Sequence, residues 1–189
     1  MKLSILSHRL SARLVVVALL AAAGCQKGSD VQPGLPAATA EGRNTIGCMI
    51  DNEPWLVGSD ANGSSSSIKA RYSPGMPLEI EATHASPLLG YSQLRLRLDT
   101  PALRPGTYTL ADGAHLQFKD YEFDDSDDYL AAGNVGEGSI ILTKVLPVAA
   151  AGGNAAYTIV AGTYACTVVS PTTGAVLHLT DGRFDLRAY

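Results

Sequence analysis

Seven residues, Gln93-Leu94-Arg95-Leu96-Arg97-Leu98-Asp99, alternate strictly between leucine and a polar or charged side chain. Successive side chains of a strand point to opposite faces, so this run has one apolar face and one charged face. A helix would scatter the same leucines around its circumference, and the pattern therefore predicts a half-buried strand. Residues 77–83 repeat it with Leu78, Ile80 and Ala82 inward, and residues 107–110 and 115–118 continue it. Residues 138–145 read as a more fully buried strand. Residues 157–169 read as a long one with a bulge or bend at Ala161-Gly162, since glycine inside a strand breaks regular pairing. Residues 175–179 and 183–187 read as two strands joined by a hairpin turn at Thr180-Asp181-Gly182.

Turn chemistry separates these runs at Asp51-Asn52, Ser73-Pro74-Gly75, Arg104-Pro105-Gly106, Asp112-Gly113, Gly152-Gly153-Asn154 and Pro171-Thr172-Thr173-Gly174. Some nine to eleven short strands at this spacing predict an all-β fold, an antiparallel β-sandwich or an open barrel. Residues 146–153 suit a helical turn, too short to change that class. Of 189 residues 46% are apolar and 17% charged, which excludes a disordered chain. The net charge of −4 argues against nucleic acid as a partner, because phosphates demand a basic surface.

The N-terminus reads as an address. Lys2, Arg9 and Arg13 precede the apolar run Leu14-Val15-Val16-Val17-Ala18-Leu19-Leu20-Ala21-Ala22-Ala23-Gly24, and Cys25 follows at once. As a helix the run spans roughly 16 Å, against a hydrocarbon core of about 30 Å. It fits a signal-peptide core and not a spanning helix. The ending Ala22-Ala23-Gly24-Cys25 resembles the lipobox of bacterial lipoproteins, in which the cysteine is diacylated and becomes the new N-terminus. That resemblance implies a signal peptide over residues 1–24, a lipid on Cys25, and the membrane as a partner through that lipid. Cleavage removes three positive charges and no negative ones, leaving 11 basic against 18 acidic residues, a net of −7. Residues 25–44 show no apolar period and read as a flexible tether to a single domain over residues 45–189. Gln26 is not the aspartate that resembles an inner-membrane retention signal, which points to the outer membrane of the cell envelope.

The domain itself resembles a family of small, uncharacterised bacterial lipoproteins. The likeness rests on Cys48-Met49-Ile50-Asp51-Asn52-Glu53-Pro54-Trp55, on Gly162-Thr163-Tyr164, and on the closing Thr180-Asp181-Gly182-Arg183-Phe184-Asp185. Here Tyr164 stands for a Phe, Asp181 for an Asn and Glu53 for a Gly of the family pattern. The resemblance implies a β-rich fold and lends no activity. Read from the residues alone, Trp55 is a core anchor or a stacking platform. Arg183 and Asp185 lie two apart on one strand face, placed for a cross-strand pair.

With Cys25 acylated, Cys48 and Cys166 remain, both in predicted strands, and an oxidising compartment predicts a disulfide between them. The densest polar feature is Asp120, Glu122, Asp124, Asp125, Asp127 and Asp128, six carboxylates within nine residues. Oxygen-rich loops suit Ca²⁺, although no EF-hand glycine or terminal glutamate is present; the plainer reading is a solvated loop needing no cofactor. Tyr121, Phe123 and Tyr129 flank it as candidate binding aromatics. His84, His115 and His178 are scattered, and the serines at 64–67 lack the surroundings of a nucleophile. No catalytic constellation emerges. The expectation is a lipid-anchored binding or scaffolding module for an envelope protein or glycan; the alternative is a calcium-dependent carbohydrate or adhesion module using residues 120–128.

Overall fold

The computed structural model describes residues 34–57, 67–86, 90–122, 125–131 and 135–189. The alternating runs become eleven strands. They are β1 (Thr45–Ile50), β2 (Glu53–Val57), β3 (Ser67–Arg71), β4 (Leu78–Ser86), β5 (Gly90–Leu98) and β6 (Gly106–Thr109). There follow β7 (Ala114–Glu122), β8 (Asp125–Ala131), β9 (Glu137–Val148), β10 (Tyr157–Val169) and β11 (Val176–Ala188). The fold is all-β, and no helix occurs among the described residues.

The strands form one antiparallel sheet in the order β2-β1-β11-β10-β8-β7-β5-β4-β3. β10 forks: its residues 157–167 pair with β9, which carries β6 on its other side, while Val169 meets Leu130 of β8. The sheet curls until its far ends nearly meet. Tyr189 donates its N–H to the Ala70 carbonyl (3.1 Å) and accepts from the Tyr72 N–H (3.2 Å), so the C-terminus seams the barrel to β3. Of the two expected architectures, the chain adopts the barrel.

The inward faces fill the barrel. Leu94, Leu96 and Leu98 on β5 meet Leu78, Ile80 and Ala82 on β4 and Leu116 and Phe118 on β7, all buried. Each such leucine, isoleucine or phenylalanine stabilises the fold by roughly 1.5–3 kcal/mol. Trp55 is a core anchor: it is 8% exposed, packs edge-on against Phe118 at 6.0 Å, and donates its Nε1–H to Ser92 Oγ at 2.8 Å.

Two local expectations need correction, and two others are met. Asp181-Gly182 is not a hairpin turn, because β11 runs through it. Asp181 takes a left-handed φ of 52°, and the register shifts by one residue against both β1 and β10, which marks a β-bulge. The glycine is required there: a Cβ on Gly182 would lie 2.5 Å from the Tyr164 carbonyl oxygen. Residues 146–148 extend β9 and form no helical turn, and the chain reverses instead at Gly152-Gly153, both with positive φ. The first hairpin turns on Asp51 (φ 46°) and Asn52 (φ 73°), with Ile50 paired to Glu53. Glu53 is therefore already strand and has no need of glycine's freedom. At Gly162 the expected irregularity is present, as a register shift between Ala161 and Gly162 against β9.

Candidate functional site

Cys25, Phe123 and Asp124 lie outside the described residues, and Glu122, Asp125 and Asp127 are placed by backbone register alone. The acidic run is not a loop between strands but the arms of the β7–β8 hairpin, with Glu122 opposite Asp125, Asp120 opposite Asp127 and Lys119 opposite Asp128. Lys119 Nζ sits 2.8 and 2.9 Å from the two Asp128 carboxylate oxygens, so this candidate calcium ligand already has its own cation. Among the described residues, no group of three His, Cys, Asp or Glu side chains converges on a metal-sized point. Tyr121 packs edge-on against Tyr91 at 5.1 Å, whereas Tyr129 packs against Phe118 of the core at 6.5 Å. Those two candidate aromatics do not form one surface row.

The expected Cys48–Cys166 disulfide is absent: both residues are free, buried thiols. The reason is topological. β11 separates β1 from β10, which sets the two Cα atoms about two strand spacings apart, roughly 9–10 Å. A disulfide spans at most about 7 Å. Burial pushes each thiol up to about 12, against the slight opposing effect of the Tyr164 hydroxyl on Cys48. These are inert core residues. Burial likewise raises Tyr164, whose hydroxyl lies 3.4 Å from the Gly47 carbonyl oxygen.

Residues 34–44, expected as part of a flexible tether, are instead held by the barrel. Residues 34–44 lie strapped across the outside of the barrel, and Asp185 is the clasp. Its Oδ2 accepts from the Thr39 hydroxyl (2.5 Å) and the Glu41 N–H (2.9 Å), and its Oδ1 from the Gly42 N–H (2.6 Å). Three cations hold the strap's carbonyls in turn: Lys144 on Ala40 (2.6 Å), Arg183 on Pro36 (3.3 Å) and Arg187 on Gly42 (2.9 Å). Leu35 of the strap is itself buried. Arg183 and Asp185 do share a face, yet they are covered, not exposed, and both bind the strap, Arg183 also donating to the Asp181 carbonyl of its own strand. Burial pushes the Asp185 carboxyl up, but the Thr39 hydroxyl and the N–H groups of Glu41, Gly42 and Arg43 outweigh it and hold the group below the usual carboxylate range.

A groove of about 410 Å³ lies over the outer faces of β3, β4, β5 and β7. Register lays out its charged side chains as two cross-strand rows. One runs Arg71, Glu79, Arg97, His115, and the other Lys69, Glu81, Arg95, Gln117, Leu130. Glu79 pairs with Arg97 (3.0 Å), and Glu81 with Arg95 (3.3 Å) and Lys69 (3.6 Å). Beside the groove, Asp99 lies 2.8 Å from Arg97 and 3.1 Å from His115, and the hydrogen-bonded Arg97 guanidinium holds its carboxyl below the usual range. Arg71 has no ionic partner among the described residues. Four of the chain's cations thus face two glutamates in one groove, on a chain that is acidic as a whole.

Sequence reasoning put Arg95 and Arg97 on an outer face but missed β3. The signal was present, since Ile68 and Ala70 alternate with Lys69 and Arg71, but it sits directly behind a serine-rich run. No protein-family model matches the chain, no curated protein matches it, and no solved structure matches it.

Proposed function

We propose that this chain is an acylated lipoprotein of the bacterial cell envelope, anchored through Cys25, whose barrel is held close to the membrane as a binding module. The lipobox-like ending Ala22-Ala23-Gly24-Cys25 supports the anchor, and the strap supports the closeness to the membrane. From Cys25 to Gly34 the chain makes nine Cα–Cα steps and reaches roughly 30 Å at most. Were the whole segment up to Thr45 free, twenty steps would allow roughly 70 Å. A barrel that grips residues 34–44 through the buried Arg183 and Asp185, the half-buried Lys144 and the exposed Arg187 shortens its own leash and fixes where that leash leaves it.

The exit also orients the molecule. Gly34 lies against Pro54 of β2, beside the Asp51-Asn52 turn, and Asp51 bonds to His178 at the start of β11. The end of β7 and the start of β8 lie at this same rim, because β8 runs antiparallel to β10. The acidic rim then faces the bilayer, and the charged groove lies on the flank toward the opposite rim. Gln26 in place of aspartate favours the outer membrane.

Mass spectrometry of the N-terminal peptide from purified membranes tests the anchor. The reading expects a mature chain beginning at acylated Cys25. An unmodified cysteine, or protein recovered wholly in the soluble fraction, overturns it.

A further inference from the structure

We infer that the groove over β3, β4, β5 and β7 binds an acidic oligosaccharide, a ligand that carries carboxylates and free hydroxyls together. This deepens the binding role proposed above and rests on that part of the reading, not on the lipid. The groove's volume of about 410 Å³ falls within the range of small-ligand sites, roughly 300–1,000 Å³.

The distribution of charge selects the chemistry. Lys69 and Arg71 stand on β3, Arg95 and Arg97 on β5, with Glu79 and Glu81 of β4 between them. The two basic walls are therefore about two strand spacings apart, roughly 10 Å, and within each wall the cations are two residues, roughly 7 Å, apart. Arg71 has no ionic partner among the described residues, and Arg95 has one carboxylate at 3.3 Å. Their guanidinium groups have N–H donors to spare, in the fork geometry that matches a carboxylate.

A ligand bearing only acid groups would be repelled by the two central glutamates. A sugar satisfies both parts: its carboxylates accept from the arginine walls, while its hydroxyls donate to Glu79 and Glu81. Gln117 adds a neutral donor and acceptor, and Leu130 a half-buried apolar surface against which a sugar ring's C–H face packs.

Calorimetric titration of the full chain in detergent tests the proposal, with three probes: a tetragalacturonate, its carboxyl-reduced neutral counterpart, and polyphosphate of similar charge. The acidic sugar should bind at least tenfold tighter than either of the others. Arg71→Ala and Arg71→Glu should weaken it about tenfold or more with unchanged melting temperature, since the side chain is exposed. Glu79→Ala discriminates most sharply. It should weaken the acidic sugar through the lost hydroxyl acceptor, whereas a site for bare negative charge would tighten. No binding of tetragalacturonate at millimolar concentration, equal binding of polyphosphate, or tighter binding by Glu79→Ala overturns the inference. The acyl mass at Cys25, read on the same preparation, shows separately whether the anchor holds.

Discussion

The Thr39 hydroxyl donates to the Asp185 carboxylate across 146 positions of sequence, at 2.5 Å. With the Glu41 and Gly42 N–H groups on the same carboxylate, this fastens the N-terminal segment to the last strand of the barrel. Asp185 is 1% exposed beneath that cover. Hydrogen bonds to a buried charge contribute more than neutral ones, and removing the acceptor strands its donors.

Asp185→Ala should therefore destabilise the fold by about 2–4 kcal/mol, a fall in Tm of roughly 5–15 °C. Thr39→Ala removes one donor of several and should cost about 1 kcal/mol. Limited proteolysis should cut residues 34–44 in Asp185→Ala well before the barrel. Equal resistance in the variant and the parent would show that the clasp is incidental.

The same carboxyl sets an acid limit. Its folded-state value lies below the ordinary one, so its stabilising effect is complete above about pH 4, the unfolded value. It is lost as pH falls from there through the depressed folded value. Thermal melts from pH 6 to pH 2 should show the parent losing stability below pH 4, and Asp185→Asn losing less over the same interval. Parallel curves for the two proteins would contradict the assignment.

Cys48 and Cys166 should resist iodoacetamide at pH 8 in the folded chain, since both thiols are buried and pushed up to about 12. Both should alkylate fully in denaturant without a reducing agent. Dithiothreitol should leave Tm unchanged. A two-dalton mass deficit under non-reducing conditions would reveal a bridge that the β1-β11-β10 order does not allow.

Gly162→Ala should be severely destabilising, by roughly 2–4 kcal/mol. A Cβ at that position would lie 2.2 Å from the Ile141 carbonyl oxygen and 2.9 Å from Phe184 Cζ. Gly75→Ala makes the comparison informative. Gly75 has open space around it and only its φ of +84° to strain, so the loss should be smaller. Equal melting temperatures for the two variants would argue against the tight crossing of β9 and β10.

Much of the fold is legible in the alternation itself. The leucines of β5 and the inward residues of β4 read directly as one face of a sheet, because burial imposes a period of two. The closing Asp181-Gly182 misled because a left-handed residue serves a bulge as well as a turn. Only the pairing of β11 with strands on both sides distinguishes them. Asp125–Ala131 escaped notice as a strand because its charges outweigh any alternation. The strap was illegible for a different reason: residues 34–44 have no period of their own, and what orders them is a carboxylate some 140 residues away. The groove was half legible. Arg95 and Arg97 were on the outer face, but nothing local says that β3 brings Lys69 and Arg71 alongside them.

Hydrogen exchange on the full chain tests most directly whether the barrel grips its own N-terminal segment. Peptides covering residues 34–44 should exchange as slowly as those from β11, with Gly42 among the most protected amides. Exchange of that segment at the rate of an unstructured chain, while β11 stays protected, would contradict the account.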